Sequence, residues 1–98
     1  MVRIKWLNSA KEDLKEIHDY ISIDSKRYAK LQIDKIQSRT EILKKHALLG
    51  KIVEELGNPR VRELVEGNYR IIYHIISESE LHILLIHHNA RDLTRRIK

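Results

Sequence analysis

The chain opens with alternating apolar and polar positions. Val2, Ile4 and Trp6 are separated by basic residues, and this period of two is typical of a strand that buries one face. We therefore predict a strand over residues 1–7.

The stretch that follows has apolar positions three or four residues apart, which is the spacing of one helix face. Ser9 followed by Glu12 fits a capping box and predicts a first helix over residues 9–23. Asp24-Ser25-Lys26 is a break with N-cap chemistry, and a second helix is predicted over residues 26–46. Because the break is short, the two helices are expected to form an antiparallel hairpin.

The second half of the chain is strand-like. Gly, Asn and Pro mark residues 50–60 as a loop, and three apolar runs follow it. Gly67-Asn68 predicts a tight hairpin turn between the first two runs, because both residues tolerate positive φ. A second turn is predicted at residues 77–80.

This order of elements predicts an α+β fold in one domain, residues 1–98. It would consist of an N-terminal strand, an antiparallel helical hairpin on one sheet face, and a three-stranded antiparallel meander. The first strand is expected to join the meander at an edge.

Pairing Glu66 with Tyr69, and Ile76 with Leu81, divides the meander into two faces. A bulge would change the two sets. The face expected beneath the helices contains Leu64, Tyr69, Ile71, Tyr73, Ile75, Leu84 and Ile86. The other face mixes apolar and charged side chains, namely Glu63, Val65, Arg70, Ile72, His74, Ile83, Leu85 and His87.

Arg70 is the most informative single residue, because an arginine within an apolar strand costs free energy unless it contacts a partner or water. One interpretation is an ion pair with its diagonal neighbour Glu63 on a solvated sheet face. The other is a contact to a phosphate or carboxylate, since a guanidinium binds both in bidentate geometry.

Composition excludes several classes. There is no Cys, and therefore no disulfide framework, thiolate zinc site or Cys nucleophile. No apolar run reaches the ~18 residues of a membrane span, and no basic-then-apolar leader opens the chain, so a cytoplasmic setting is expected.

The net charge of +5 is unevenly distributed. Residues 8–24 have a net charge of −3, residues 26–51 of +6 and residues 89–98 of +3. The two basic segments are interpreted either as solvated faces or as contacts for an acidic partner segment or an RNA backbone.

Three groups of residues follow one another at a recognisable spacing. They are Trp6, Ala10, Asp13-Leu14, Ile17 and Tyr20-Ile21; then Arg62-Glu63-Leu64 with the run from Gly67 to Tyr73; then Ile86-His87-His88 with the run from Ala90 to Leu93. Together they resemble the RelE/ParE superfamily of toxins from type II toxin–antitoxin modules.

The resemblance implies a toxin that arrests growth when it is free. It also implies that a cognate antitoxin wraps around the toxin, and that the pair serves purposes such as plasmid stabilisation. Its target stays open between two types. RelE-type members cut messenger RNA in the ribosomal A site, and ParE-type members bind and poison DNA gyrase. The N-terminal pattern and the ending HNARDLTRR are more similar to ParE, so gyrase is the preferred target and mRNA cleavage is the alternative. An inert relative without toxicity is a third interpretation.

If the chain is a nuclease, the resemblance implies a metal-independent endoribonuclease. Arg70 matches the family's central-strand arginine and Arg91 its post-strand arginine, and either could hold phosphate. His88 could act as acid or base, and Glu63 or Glu55 could complete the catalytic set.

Two departures from RelE-type nucleases weaken the nuclease interpretation. Val61 and Glu63 stand where those enzymes carry lysines, and Ile97 stands where some carry a terminal aromatic residue. A Glu beside a bound phosphate would repel it.

No cofactor or metal is expected, because His87 and His88 are adjacent on a strand and point to opposite faces. The second sheet face is expected to receive an amphipathic helix or an added strand of the antitoxin through Ile72, Ile83, Leu85 and Val65. Exposed apolar surface also allows a homodimer.

Overall fold

The computed structural model describes residues 1–97 and is an α+β structure built on one five-stranded sheet. The strand order is β1-β5-β4-β3-β2, with β1 parallel to β5 and the other neighbours antiparallel. The predicted fold, and the edge position of the first strand, are confirmed. The elements are β1 (Arg3–Trp6), α1 (Asn8–Ser22), α2 (Lys26–Glu41), a 3₁₀ turn (Ile42–Lys44), β2 (Lys51–Ile52), β3 (Val61–Glu66), β4 (Tyr69–Ser77), β5 (Glu80–His88) and α3 (Thr94–Ile97).

The break between the two helices is confirmed. Ser25 is the N-cap of α2, and its Oγ accepts a hydrogen bond from Tyr28 N at 3.1 Å, which satisfies one free amide at the helix start. α2 ends at Glu41, earlier than predicted, and the 3₁₀ turn continues it to Lys44. β2 was not predicted, because a two-residue strand inside the loop leaves no periodic signal.

The predicted capping box at Ser9 is wrong. α1 begins at Asn8, its N-cap is Leu7, and no side chain caps it. Ser9 Oγ instead donates to Leu84 O at 2.7 Å. A tertiary contact takes the Ser9 hydroxyl away from the helix start. β1 pairs with β5 only as far as Ile83, so the edge of β5 beyond Ile83 is free to bind side chains of α1.

Both meander turns lie where they were predicted, but the strand pairing predicted across the second turn is wrong. Glu66 pairs with Tyr69 across a turn in which Gly67 has φ of +59°. At the other end, Ser77 pairs with Glu80 instead of Ile76 with Leu81. The resulting shift in register leaves Ile76 outside the pairing and 39% exposed.

A β-bulge at Leu84 corrects the predicted faces. Ile72 pairs with Leu85, but Tyr73 pairs with Ile83, so β5 carries one extra residue there. Ile83 therefore packs on the helix side and Leu84 on the other. The main core lies between the helices and the sheet, and its fully buried members include Ala10, Ile36, Leu43, Ile71, Tyr73, Leu81 and Ile83.

Candidate functional site

Arg70 lies on the sheet face opposite the helices, where two carboxylates hold its guanidinium. Nε donates to Glu63 Oε1 at 3.2 Å, and Nη2 donates to Glu63 Oε2. The outer edge of the guanidinium donates to Glu55, with Nη1 at 2.8 Å from Oε2 and Nη2 at 3.0 Å from Oε1. Glu63 is the expected diagonal neighbour on β3, and Glu55 comes from the loop between β2 and β3.

The charges of this cluster are mutually stabilised and shielded from water. The side chains of Arg70, Glu63 and Glu55 are 11%, 4% and 26% exposed. The hydrogen bond from Arg70 lowers the pKa of Glu55 from 4.5 to about 2. Hydrogen bonds to Glu55 and then Glu63 raise the pKa of Arg70 above its usual value. An external anion at Arg70 would have to displace Glu55 and would still meet the negative charge of Glu63.

The chain's own segments cover this sheet face. Leu93, which is 1% exposed, packs with Val53, Val61 and Ile72, and Leu84, Leu85 and Ile97 flank this second cluster. Leu93 follows β5, and Val53 follows β2. Both segments therefore lie where an external partner would approach the middle of the face.

The partner face expected at Ile72, Ile83, Leu85 and Val65 is wrong as a single open surface. Ile72 and Ile83 are fully buried, and Ile83 packs on the helix side because of the bulge. Of the four, only Val65 is largely open, at 47% exposure. The apolar residues that suggested docking are therefore mostly core.

Arg96 holds the C-terminal segment against α1. Its Nη2 is 2.9 Å from both carboxylate oxygens of Asp13, and Asp13 Oδ2 also accepts from Ile86 N at 3.0 Å. His87, 3% exposed, lies between this pair and the turn, with Nε2 3.0 Å from Arg91 O and Nδ1 3.4 Å from Arg96 Nη1. This network was not predicted from the sequence, where the basic tail and the acidic residues of α1 were its only signals.

His88 lies on the opposite side of the sheet from Arg70. It pairs with Tyr69, and the two rings make an edge-to-face contact with centroids 5.4 Å apart. His88 Nδ1 accepts from Ala90 N at 3.1 Å, so the neutral ring carries its proton on Nε2. Burial raises the pKa of Tyr69, and the nearby charge of Arg91 opposes that rise.

The structure thus divides the candidate nuclease residues into two groups. Arg70, Glu63 and Glu55 form one hydrogen-bonded cluster. His88 and Arg91 lie beside Tyr69 on the other face. Cleavage of RNA requires base, acid and cations around one phosphate, and these two groups do not surround a common position.

Within residues 1–97, no three His, Asp or Glu side chains form a group able to hold a metal ion. None of the helices there combines the length and the apolar composition needed to cross a membrane.

Comparisons with known proteins give a family and a fold. The family model described as "ParE toxin of type II toxin-antitoxin system, parDE" matches residues 4–93. A solved structure titled "Chromosomal ParDE TA system from P. aeruginosa" is similar with a TM-score of 0.72 and 24% identity. The similarity covers 90% of this chain and 96% of that one. None of the curated proteins compared with the chain matches it.

Proposed function

The chain belongs to the ParE toxin family of type II toxin–antitoxin systems, and we propose that it arrests growth by binding and poisoning DNA gyrase. We further propose that it acts in the cytoplasm and that a cognate antitoxin neutralises it there. Membership of the family supports a toxin with an antitoxin partner. The choice of gyrase over messenger RNA rests on the state of Arg70.

Arg70 is the observation that carries this choice. A nuclease of this superfamily would need its central-strand arginine free to hold phosphate. Here Glu55 occupies the outer edge of the guanidinium in the bidentate geometry that a phosphate would take. Glu63 occupies the inner edge and is itself almost fully buried. Arg70 therefore acts as a structural ion-pair centre in our proposal, and toxicity comes from binding a protein target.

The alternative is an mRNA endoribonuclease, and one observation favours it. His88 and Arg91 lie together at the end of β5, where Arg91 N donates to His88 O at 3.0 Å, and histidine is the side chain that acid–base catalysis uses most often. Such an enzyme would need to act without Arg70. The third interpretation is an inert relative, and it predicts that the free protein has no effect on growth.

An induction experiment separates the three. The wild type, His88→Ala, Arg91→Ala and the surface control Lys11→Ala are expressed without antitoxin in separate cultures. We expect all four to arrest growth and to produce gyrase-linked DNA breaks while messenger RNA stays intact by primer extension. In-frame mRNA cuts that disappear in His88→Ala and Arg91→Ala, but not in Lys11→Ala, would establish the nuclease. No growth effect from folded wild type would establish the inert relative.

Neutralisation has its own test. Co-expression of the antitoxin from the same toxin–antitoxin module should restore growth, and a tag on the toxin should recover both chains in one complex. Growth rescue without a complex would contradict direct neutralisation, whatever the toxin's target.

A further inference from the structure

His87 is a buried histidine near the end of β5, and both of its ring nitrogens are engaged. The residue is only 3% exposed. Nε2 lies 3.0 Å from Arg91 O, and because a carbonyl oxygen can only accept, Nε2 carries the proton. Nδ1 lies 3.4 Å from Arg96 Nη1, and because a guanidinium can only donate, Nδ1 presents its lone pair. Together the two contacts require the neutral ring.

Arg96 connects this ring to α1 and thereby holds α3 in place. Its Nη2 donates to both carboxylate oxygens of Asp13 at 2.9 Å, while Nη1 faces His87. No residue of α3 is buried. The helix is therefore held mainly by the contacts of Arg96 and by Ile97, which packs at the edge of the second cluster.

We propose that His87 is a pH-sensitive latch for α3, closed when the ring is neutral and open when it is protonated. A proton on Nδ1 turns the acceptor into a donor, so two N–H groups and two positive charges then face each other between His87 and Arg96. Histidine is the side chain whose charge ordinarily changes between about pH 5 and about pH 8. This inference does not depend on the target of the toxin.

The repulsion is strong enough to open the latch because the opposing ion pair is weak. The side chains of Arg96 and Asp13 are 32% and 12% exposed, and ion pairs in contact with water add little stability. Like charges repel about as strongly as opposite charges attract at a similar distance. A charged ring beside Arg96 therefore offsets what Asp13 contributes.

The other charges around His87 do not prevent the ring from taking up a proton. Hydrogen bonds from Thr94, and then the nearby charge of His87, lower the pKa of Asp92. Arg70 and, to a smaller extent, His87 lower the pKa of Glu55. The charged groups near the ring are Arg96 with Asp13 of α1, Arg70 of β4 with Glu55 and Glu63, and Asp92 in the turn. Carboxylates outnumber guanidinium groups in this set, so the unfavourable contact is confined to Arg96.

Opening the latch would uncover part of the second sheet face. Ile97 packs with Leu84 and Leu85, which are themselves half-buried. Leu93 precedes α3 and stays anchored, since it is 1% exposed within the second cluster. The hydrogen bond from His87 Nε2 to Arg91 O can form in both charge states of the ring. The chain therefore hinges after Leu93, and only α3 moves.

The test is an NMR titration of the isotope-labelled full chain, made by cell-free synthesis, from about pH 8 to about pH 5. Long-range proton–nitrogen correlations show which nitrogen of the His87 ring carries the proton and when the second proton arrives. We expect the neutral ring to carry its proton on Nε2. Backbone order parameters of residues 94–97 should fall from about 0.85 to below about 0.6 as the ring is protonated, while Leu93 stays ordered.

Three variants separate the ring from other groups that titrate. His87→Gln keeps a donor for Arg91 O and an acceptor for Arg96 but has no ring to protonate, so α3 should stay ordered throughout. His88→Gln makes the same change at the neighbouring ring and should respond to pH as the wild type does. Arg96→Met should leave α3 loose at every pH.

The wild type alone can overturn the proposal. An α3 that stays ordered beside a protonated His87 would do so, and so would a neutral ring with its proton on Nδ1. A folded His87→Gln variant that loses the order of α3 on acidification would also contradict the latch, because another group would then control it.

Discussion

Replacing Arg70 tests whether its role is structural. In Arg70→Met the carboxylate of Glu63, whose side chain is 4% exposed, would lose its partner while remaining among apolar neighbours. Breaking a buried ion pair from one side costs about 3–5 kcal/mol. Domains of this size have a total stability of only about 5–15 kcal/mol, so the variant should unfold at least ~12 °C below the wild type.

Removing both charges should recover most of that loss. In Arg70→Met/Glu63→Leu no unpaired charge stays buried, and Glu55, at 26% exposure, can turn toward water. Replacing a buried ion pair by apolar groups is often neutral, so we expect the double variant within ~1 kcal/mol of the wild type. The double variant should then be at least ~2 kcal/mol more stable than Arg70→Met.

Urea unfolding followed by circular dichroism at neutral pH measures all three proteins, with Arg91→Met as an exposed control. A single variant within 1 kcal/mol of the wild type, or a double variant as unstable as the single, would refute the reasoning. The folded double variant should also arrest growth as strongly as the wild type. Loss of toxicity from a stable double variant would mean that Arg70 acts directly on the target.

Three further predictions concern single side chains. Folding lowers the pKa of Glu55 from 4.5 to about 2, so the ionised carboxylate stabilises the fold fully above pH 4.5, and this stabilisation is lost as the pH falls toward 2. Because the side chain is partly exposed, we expect Glu55→Gln to lower the free energy of unfolding by ~1 kcal/mol at pH 7 and by little at pH 2. Tyr73→Phe removes a hydroxyl that accepts from Gly50 N at 2.9 Å and donates to Ala47 O at 2.7 Å. The free energy of unfolding in urea should fall by ~1–3 kcal/mol. Arg96→Met breaks the pair with Asp13, and should raise amide exchange across residues 89–97 about fivefold, equivalent to ~1 kcal/mol.

Exposed neighbours provide the controls. Glu54→Gln, Tyr28→Phe and Arg95→Met make the same chemical changes at open positions, and each should stay within ~0.5 kcal/mol of the wild type. A Glu55→Gln variant with an unchanged pH profile, a Tyr73→Phe variant as stable as its control, or unaltered exchange in Arg96→Met would each contradict the corresponding contact.

Local chemistry explains which elements the sequence could predict. Helix periodicity, the Ser25 cap and the turn at Gly67 depend on residues within a few positions of one another, and each is present. Ser9 has equally good local chemistry for a cap, yet its hydroxyl bonds Leu84 O. The better partner was a strand edge far away in sequence, which no local pattern reveals.

The candidate site shows the same limit. Glu63 could be predicted as an ion-pair partner of Arg70, because strand pairing fixes which residues are diagonal neighbours. Glu55 could not, because its position depends on β2, a strand of two residues. Alternation along β5 does place His87 on the face of Arg70 and His88 on the other, so the separation of His88 from Arg70 could have been predicted. The bulge at Leu84 could not, since it adds one residue without a sequence signature.

The choice of target is tested most directly with purified gyrase. Gyrase, supercoiled plasmid, ATP and the free toxin are incubated, and the DNA is then released with detergent and protease. We expect linear plasmid that increases with toxin concentration and disappears when the antitoxin is added first. Uncut plasmid, from a toxin preparation that cleaves messenger RNA on translating ribosomes, would contradict our central proposal.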